Sequence, residues 1–473
     1  MSRASTDAPQ TTRVMQDIRQ RIDSRRLGPG SRLPSIRAQA QALQVAKSTV
    51  VDAYERLVAE GLIEAKPGSG FYVANRLSPL NLADTSPHQD RDIDPVWVNR
   101  QSLDSEPDTL KPGCGWLPAD WLPEAEIRKA LRSLSRQPLA PLTGYGTLQG
   151  SAELRQLLAQ RIGGRGILAS LDQLMLTDSG TQAIDLLCRF FIEPGDCVLL
   201  DDPCYASFQA ILRAHRAQVV GVPYTRQGPD IQAFERCLIE HRPKLYITNA
   251  ALHNPTGASL SFEVAHRLLG LAESHSLTII EDDVHADFES RPAPRLAAMD
   301  GLRRVIHTGS FSKTLSASVR LGYIAARPDW LAGLVDLKLA TAFASGHLLA
   351  ELLLGLLRSG AYRRHLEALR ARLSAAMAST LERLRALDIE PWLEPRGGLF
   401  LWARLPAALD AKQLARRALF HQVLLAPGNV FSLSHNADSF LRFNVAQSLS
   451  PRVFQVLEQV MEQQLQAQQR ATS

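Results

Sequence analysis

The 473-residue sequence predicts an α/β protein in two parts: a small helical N-terminal unit that ends in a β-hairpin, and a large unit with a mostly parallel sheet. Three observations lead there. Apolar residues recur at helical spacing in short runs before residue 60. A Pro-Gly-Ser-Gly turn then separates two short apolar segments. From about residue 113 onward, apolar strand-like runs alternate with helical segments.

Taking the elements in order, "TTRVMQDIRQRIDSRR" (11–26) places Val14, Ile18 and Ile22 at i, i+4 and i+8, and "LGPG" stops that helix. "PSIRAQAQAL" (34–43) opens a second helix, with Pro34 just inside its start. "AKSTVVDAYERLVAEGL" repeats the spacing through Val50, Tyr54, Leu57 and Val58. In "LIEAKPGSGFYVA" an apolar pair, a turn and the alternating Phe71 and Val73 predict the hairpin. Two helices on a tight turn followed by a hairpin make a winged helix-turn-helix, assigned to residues 1–75. This stretch carries 11 Lys and Arg against 7 Asp and Glu, so it holds +4 of the chain's formal +5. Residues 76–112, with five prolines and seven acids against four bases, suit an extended linker, with Trp97 placed to hold it on a neighbouring surface. Residues 113–473 form the large unit. Its predicted strands are "CVLLDD" (197–202), "KLYITNA" (244–250), "LTIIEDD" (277–283) and "RRVIHTGS" (303–310), with helices on both faces.

Apolar residues at 45% and charged residues at 21% exclude wholesale disorder. "MSRASTDAPQTTRVMQ" has no apolar run of a secretion signal, and Asp336, Lys338, His347 and Glu351 break the Leu/Ala-rich stretch 330–358, so no membrane span is expected and the cytoplasm is. Cys114, Cys188, Cys197, Cys204 and Cys237 lack CxxC spacing, which predicts free thiols and no metal site.

The residues that carry chemistry cluster at the predicted strand ends, where open α/β sheets bind ligands. "TDSGTQAIDLL" puts Ser179, Gly180 and Thr181 at a helix start, either as an anion site built of free N–H groups or as a plain cap. "LHNPTG" presents Asn254 as a donor, and "EDDVHADF" (281–288) sets three acids in a row that need a cationic or protonated partner. Lys313, among Ser310, Ser312 and Thr314, is suited to lose its proton and attack an aldehyde. One ligand meets all four needs: an aromatic aldehyde with a ring nitrogen, a phenolic oxygen and a phosphate, which is pyridoxal 5′-phosphate.

Two resemblances extend this reading. "LPSIRAQAQALQVAKSTVVDAYERLVAEGLIEAKPGSGFYV" closely resembles the DNA-binding domain of GntR-type bacterial regulators. It implies Arg37, Lys47, Ser48 and Thr49, with the wing residues Gly68, Ser69 and Gly70, as contacts to double-stranded DNA. Lys47 stands where that family often has Arg, and lacks the fork that reads guanine. The order Ser-Gly-Thr, Pro-x-Tyr, Asn-Pro-Thr-Gly, Glu-Asp-Asp, Ser-x-Ser-Lys, Arg-x-Gly and Arg-Phe-Asn looks like fold type I aminotransferases. That likeness implies a smaller C-terminal subdomain, a Schiff base at Lys313, Asp282 on the pyridine nitrogen and Asn254 on the phenolic oxygen. It also implies Tyr205 over the ring, Gly180, Thr181, Ser310 and Arg320 on the phosphate, Arg442 on an α-carboxylate, and Tyr145 reaching a neighbouring subunit's site. His285, where many relatives carry Tyr at or near this position, either bonds the cofactor oxygen or is a core or surface histidine.

Joined on one chain, the two domains resemble MocR-type regulators. The combination implies a head-to-tail homodimer that binds an operator, associates with the nucleoid when DNA-bound, and senses pyridoxal phosphate, an amine or amino acid, or their adduct. The alternative is a working aminotransferase that carries a DNA-binding arm, with residual transaminase activity as the intermediate case.

Overall fold

The computed structural model describes residues 10–24, 26–66, 68–74, 93–137, 143–406 and 409–472. The chain forms two compact units, Met1–Arg91 and Asp92–Ser473.

In the smaller unit, α1 (Gln10–Asp23), α2 (Ile36–Leu43) and α3 (Lys47–Ala59) precede β1 (Ile63–Lys66) and β2 (Gly70–Val73). The helical spacing of the sequence becomes one core, in which Val14, Ile18, Val50, Tyr54, Leu57 and Ile63 are buried. Ser35 caps α2 by accepting from the Ala38 N–H, so Pro34 lies just outside the helix it was expected to open. The tight turn into α3 is made by Gln44 in the left-handed region, whose N–H meets the Ala40 and Gln41 carbonyls. Gly68 and Gly70, at φ +72° and +107°, form the hairpin turn, where a side chain would be strained.

The larger unit contains β3 (Leu174–Thr177), β4 (Cys197–Asp202), β5 (Gln218–Thr225), β6 (Gly228–Pro229), β7 (Leu245–Thr248), β8 (Thr278–Asp282), β9 (Val305–Ser310) and β10 (Gly322–Ala325). They form one sheet in the order β3-β10-β9-β8-β7-β4-β5-β6. The five strands from β5 to β9 by way of β4, β7 and β8 run parallel, while β10 and β6 run antiparallel to their neighbours. Alternate residues enter different cores: Ile279 and Val305 join one, Ile280 and Ile306 the other. Burial on both faces explains why these strands read as continuous apolar runs. A second, antiparallel sheet near the C-terminus orders β11 (Glu390–Pro391), β12 (Phe400–Arg404), β14 (Phe440–Asn444) and β13 (Ala426–Pro427) as β11-β12-β14-β13.

Residues 93–112, expected within the linker, pack as part of this unit. The helix Trp97–Asp104 buries Trp97 and Val98 in its core, and Leu110 bridges to Val423. Residues 76–92 of the expected linker lie outside the described residues. Among the described residues, no helix is long and apolar enough to cross a membrane.

Candidate cofactor site and nucleic-acid interface

The three consecutive acids at the end of β8 meet different surroundings, because side chains alternate along a strand and Asp282 faces away from Glu281 and Asp283. Glu281 accepts from the backbone N–H groups of Leu296 and Ala297 at 2.8 and 3.0 Å, which caps the short helix Leu296–Asp300. Asp283 accepts from Arg295 Nε at 2.9 Å and lies 3.2 Å from His307 Nε2. Against the desolvation of full burial, that guanidinium and imidazole hold its carboxyl well below the usual range. Asp282 faces the other way, toward a cleft, and has no ion-pair partner among the described residues. Burial, then the charge of Asp283, pushes Asp282 up to about 7.

Lys313 stands in the loop after β9 and donates from Nζ to the Gly115 carbonyl at 2.6 Å. Asp282 and Lys313 line one cleft together with Ser179, Gly180, Thr181, Tyr205, Ser310, Ser312 and Arg320. Ser179 caps the helix Gly180–Phe191 by accepting from the Gln182 N–H at 3.0 Å, so the plain cap and the exposed N-terminal turn coexist. Gly322 makes this close approach possible: a Cβ there would lie 2.6 Å from the Ser179 carbonyl carbon. Ser310 Oγ accepts from the Ser312 N–H at 3.1 Å, next to the same helix start. Arg320 is exposed at the cleft rim, and Tyr205 precedes the helix Ala206–Ala214.

Beside this cleft, Asn254 Oδ1 accepts from Arg442 Nη1 at 2.9 Å. Arg442, 3% exposed on β14, also donates to the Gly113 carbonyl at 2.6 Å and lies between the Phe400 and Phe431 rings. Its Nε has no partner, and burial lowers its pKa to about 10. A buried guanidinium without a carboxylate is costly, so the site is complementary to an anion. His285 is buried with Nε2 unpartnered, which places it in the interior and removes the surface-histidine alternative.

Sequence reading missed the residue that ties these groups together. Asn249, one step beyond β7, donates to the Asp282 carbonyl and accepts from the Asn254 N–H at 3.1 Å, with His285 Nδ1 at 3.3 Å. Its position at a strand end was the available signal. Arg295 was missed as well, since its link to Asp283 depends on tertiary placement. Among the described residues the fully buried lysine is Lys338, while Lys313 is partly buried; Lys338 donates to the Leu148 and Leu176 carbonyls at 2.9 Å each, and burial pushes its pKa down to about 8. Tyr145 is 84% exposed, packs on Phe343 and lies outside the cleft of its own chain.

In the smaller unit, α3 presents Lys47 and Ser48 in its exposed first turn, with Thr49 partly covered and no side-chain cap at Ala46. Arg37 is exposed on α2, and Gly68, Ser69 and Gly70 form the wing tip. Arg32 bridges to Tyr72 on β2, and Lys66 lies over the Tyr72 ring at 4.6 Å; both add positive charge to the wing and were not singled out from sequence. The overall arrangement is a recognition-helix N-terminus beside a basic wing.

Comparisons with known proteins agree with both halves. The family described as aminotransferase class I and II matches residues 121–459, and the bacterial regulatory proteins of the gntR family match residues 10–73. The uncharacterised HTH-type transcriptional regulator YdcR of Escherichia coli is 30% identical over 456 residues, covering 94% of this chain and 97% of its own. NorG, an HTH-type transcriptional regulator of Staphylococcus aureus, is 28% identical, covering 85% of this chain and 92% of its own. Among solved structures, the α-aminoadipate aminotransferase LysN of Thermus thermophilus, complexed with N-(5′-phosphopyridoxyl)-L-leucine, superposes with a TM-score of 0.71 at 27% identity, over 78% of this chain and 95% of its own. A kynurenine aminotransferase of Pyrococcus horikoshii shares the fold with a TM-score of 0.72 at 23% identity, over 82% of this chain and 98% of its own. The chain therefore belongs to the HTH-type transcriptional regulators that join a GntR-type DNA-binding domain to an aminotransferase class I and II domain, the MocR-type arrangement.

Proposed function

We propose that this DNA-binding regulator uses its larger unit to hold pyridoxal phosphate and to sense an amino acid or amine beside it. The observation that carries the reading is one cleft offering Lys313 and an unpaired Asp282, next to a buried Arg442 that has no counter-charge. Each group has a matching part of the cofactor or effector. Bound there, the cofactor supplies an aldehyde to Lys313 and an electron-withdrawing ring. Asp282 holds a proton on the ring nitrogen, Asn254 donates to the ring oxygen, and Tyr205 covers one face. The first turn of the helix Gly180–Phe191, with Gly180 and Thr181, Ser310 and Arg320, holds the phosphate. Arg442 takes the effector's α-carboxylate through a bidentate pair.

The DNA contacts are Arg37, Lys47, Ser48, Thr49, Gly68, Ser69 and Gly70. Tyr145, exposed on its own chain, reaches the site of a second subunit in a homodimer. Effector binding shifts the population of dimers whose paired DNA-binding units suit the operator. Lys313, Asp282 and Arg442 also form the set that transamination requires, and a panel of amino acids with a keto-acid acceptor measures whether turnover accompanies sensing.

Two measurements on the full chain test the reading. Borohydride reduction after addition of pyridoxal phosphate is expected to leave a mass adduct on Lys313 that is absent in Lys313→Ala. Operator affinity of the loaded protein is expected to change with an amino acid in wild type and not in Arg442→Gln. No adduct on Lys313, or an amino-acid response indifferent to Arg442, counts against it.

A further inference from the structure

The orientation of the Asn249 amide is fixed by two backbone groups that each have a single role. Its Nδ2 donates to the Asp282 carbonyl, and its Oδ1 accepts from the Asn254 N–H at 3.1 Å. Turned over, the amide would set donor against donor and acceptor against acceptor. His285 Nδ1 lies 3.3 Å from that same Oδ1, and an amide oxygen only accepts, so Nδ1 carries the hydrogen. Burial, with the Lys313 and Arg442 cations nearby, pushes the His285 pKa down to about 3 against the opposing pull of Asp283, so the ring is neutral. A neutral imidazole with its hydrogen on Nδ1 has a bare lone pair on Nε2. That atom is buried and has no hydrogen-bond partner. Asn254 offers the opposite polarity: its Oδ1 is occupied by Arg442 at 2.9 Å, which leaves Nδ2 to donate.

Resting on the pyridoxal phosphate reading above, we propose that His285 Nε2 accepts a hydrogen bond from the cofactor's ring hydroxyl and, together with the donating Asn254, selects the hydroxyl over the phenolate. A phenolate has only lone pairs and would leave Nε2 facing another acceptor, at the cost of an unmet buried polar atom. A hydroxyl satisfies both neighbours, since it donates to Nε2 and accepts from Asn254. The proton then stays on the ring oxygen rather than on the Lys313 nitrogen to which the cofactor is joined. A neutral nitrogen draws less electron density from the adjoining carbon, so an incoming amine attacks more slowly. Tyrosine here would donate and favour the phenolate; histidine in this tautomer does the reverse and suits a site that registers an amine more than one that turns it over.

The test is the absorption spectrum of the full-length protein titrated with pyridoxal phosphate at neutral pH. Wild type is expected to absorb mainly in the near ultraviolet. His285→Tyr is expected to move the band into the visible, and His285→Phe, which keeps an aromatic ring without a lone pair, to raise the visible-to-ultraviolet ratio severalfold. A visible band in wild type that neither variant changes overturns the proposal. Lack of a borohydride-trapped adduct on Lys313 overturns the cofactor reading instead. Imidazole nitrogen resonances of the cofactor-free protein then test the tautomer alone. The signals lost in His285→Phe should show hydrogen on Nδ1 and none on Nε2, and the opposite tautomer, or an imidazolium, overturns the assignment.

Discussion

Arg442 Nη1 donates to Asn254 Oδ1 at 2.9 Å, and no carboxylate among the described residues reaches the guanidinium. One side chain thus positions the group assigned to the ring oxygen while keeping its remaining donors for an anion. The Phe400 and Phe431 rings, with centroids 4.4 and 4.6 Å from the guanidinium carbon, hold it in place without neutralising it.

Arg442→Lys is accordingly expected to keep the charge and lose the fork. A charge-assisted hydrogen bond contributes about 1.5–3 kcal/mol, so amino-acid affinity of the loaded protein should fall roughly 10- to 150-fold. An amine without a carboxylate should bind both proteins alike. Calorimetric titration with an amino acid and its decarboxylated amine reads this difference, and equal losses for the two ligands would place Arg442 outside the carboxylate site.

Asp282 links the cleft to pH. Its folded-state pKa of about 7 in the ligand-free chain is above the ordinary aspartate value of about 3.9. Between those values the folded chain keeps a proton that the unfolded chain has released, so stability decreases as pH rises, by at most about 1.4 kcal/mol per pH unit. Asp282→Asn removes this contribution. Urea unfolding of the cofactor-free protein at pH 5 and pH 7 should show a smaller loss in the variant than in wild type. Parallel losses would mean that another group titrates in that window.

Arg295 compensates Asp283 in the interior, and the side chains of both are 1% exposed. Arg295→Met leaves the carboxylate buried without its cation, a situation that costs about 3–5 kcal/mol. The expected result is a large fall in unfolding midpoint, partly restored when Asp283→Asn is added. Additive losses in the double variant would refute the coupling.

Lys47 begins α3, is exposed, and forms no ion pair among the described residues. Lys47→Ala should weaken binding to operator and to unrelated DNA alike and reduce the slope of log affinity against log salt by about 0.9, the contribution of one phosphate contact. An unchanged slope with relaxed operator preference would instead make Lys47 a base reader.

Local signals carried much of the fold. Alternation into two cores makes β4, β7, β8 and β9 continuous apolar runs, and the motif residues fall where those runs end. Residues 93–112 read as linker because the whole stretch 76–112, to which they belong, carries five prolines and seven acids. Trp97 and Val98, by contrast, bury their surface against partners remote in sequence. The antiparallel β10 was equally hidden, since four residues between Gly322 and Ala325 carry no directional signal. In the site, Lys313, Asp282 and Asn254 were singled out by motif order, and the structure sets Lys313 and Asp282 on one cleft. Asn249 and Arg295 were not, because each acts through a single tertiary contact set that no local spacing encodes.

Gly322 offers the most direct test of the phosphate assignment, because it touches no ligand. A Cβ there would lie 2.6 Å from the Ser179 carbonyl carbon and 2.7 Å from the Gly180 nitrogen, and backbone atoms cannot rotate away as a flexible side chain does. Gly322→Ala must therefore push the start of the helix Gly180–Phe191 away from β10, and with it the N–H groups assigned to the phosphate. Losing one or two of those bonds corresponds to about 1.5–3 kcal/mol, or roughly 10- to 150-fold in pyridoxal phosphate affinity. The Lys313 adduct should still form at high cofactor concentration, because Lys313 and Asp282 stand on other elements. Gly163→Ala, with open space around its Cβ, is the matched control and should leave affinity unchanged. If Gly322→Ala binds as tightly as wild type while folding normally, the phosphate lies elsewhere. If it loses the adduct at every concentration, the helix start positions the reactive lysine as well as the anion.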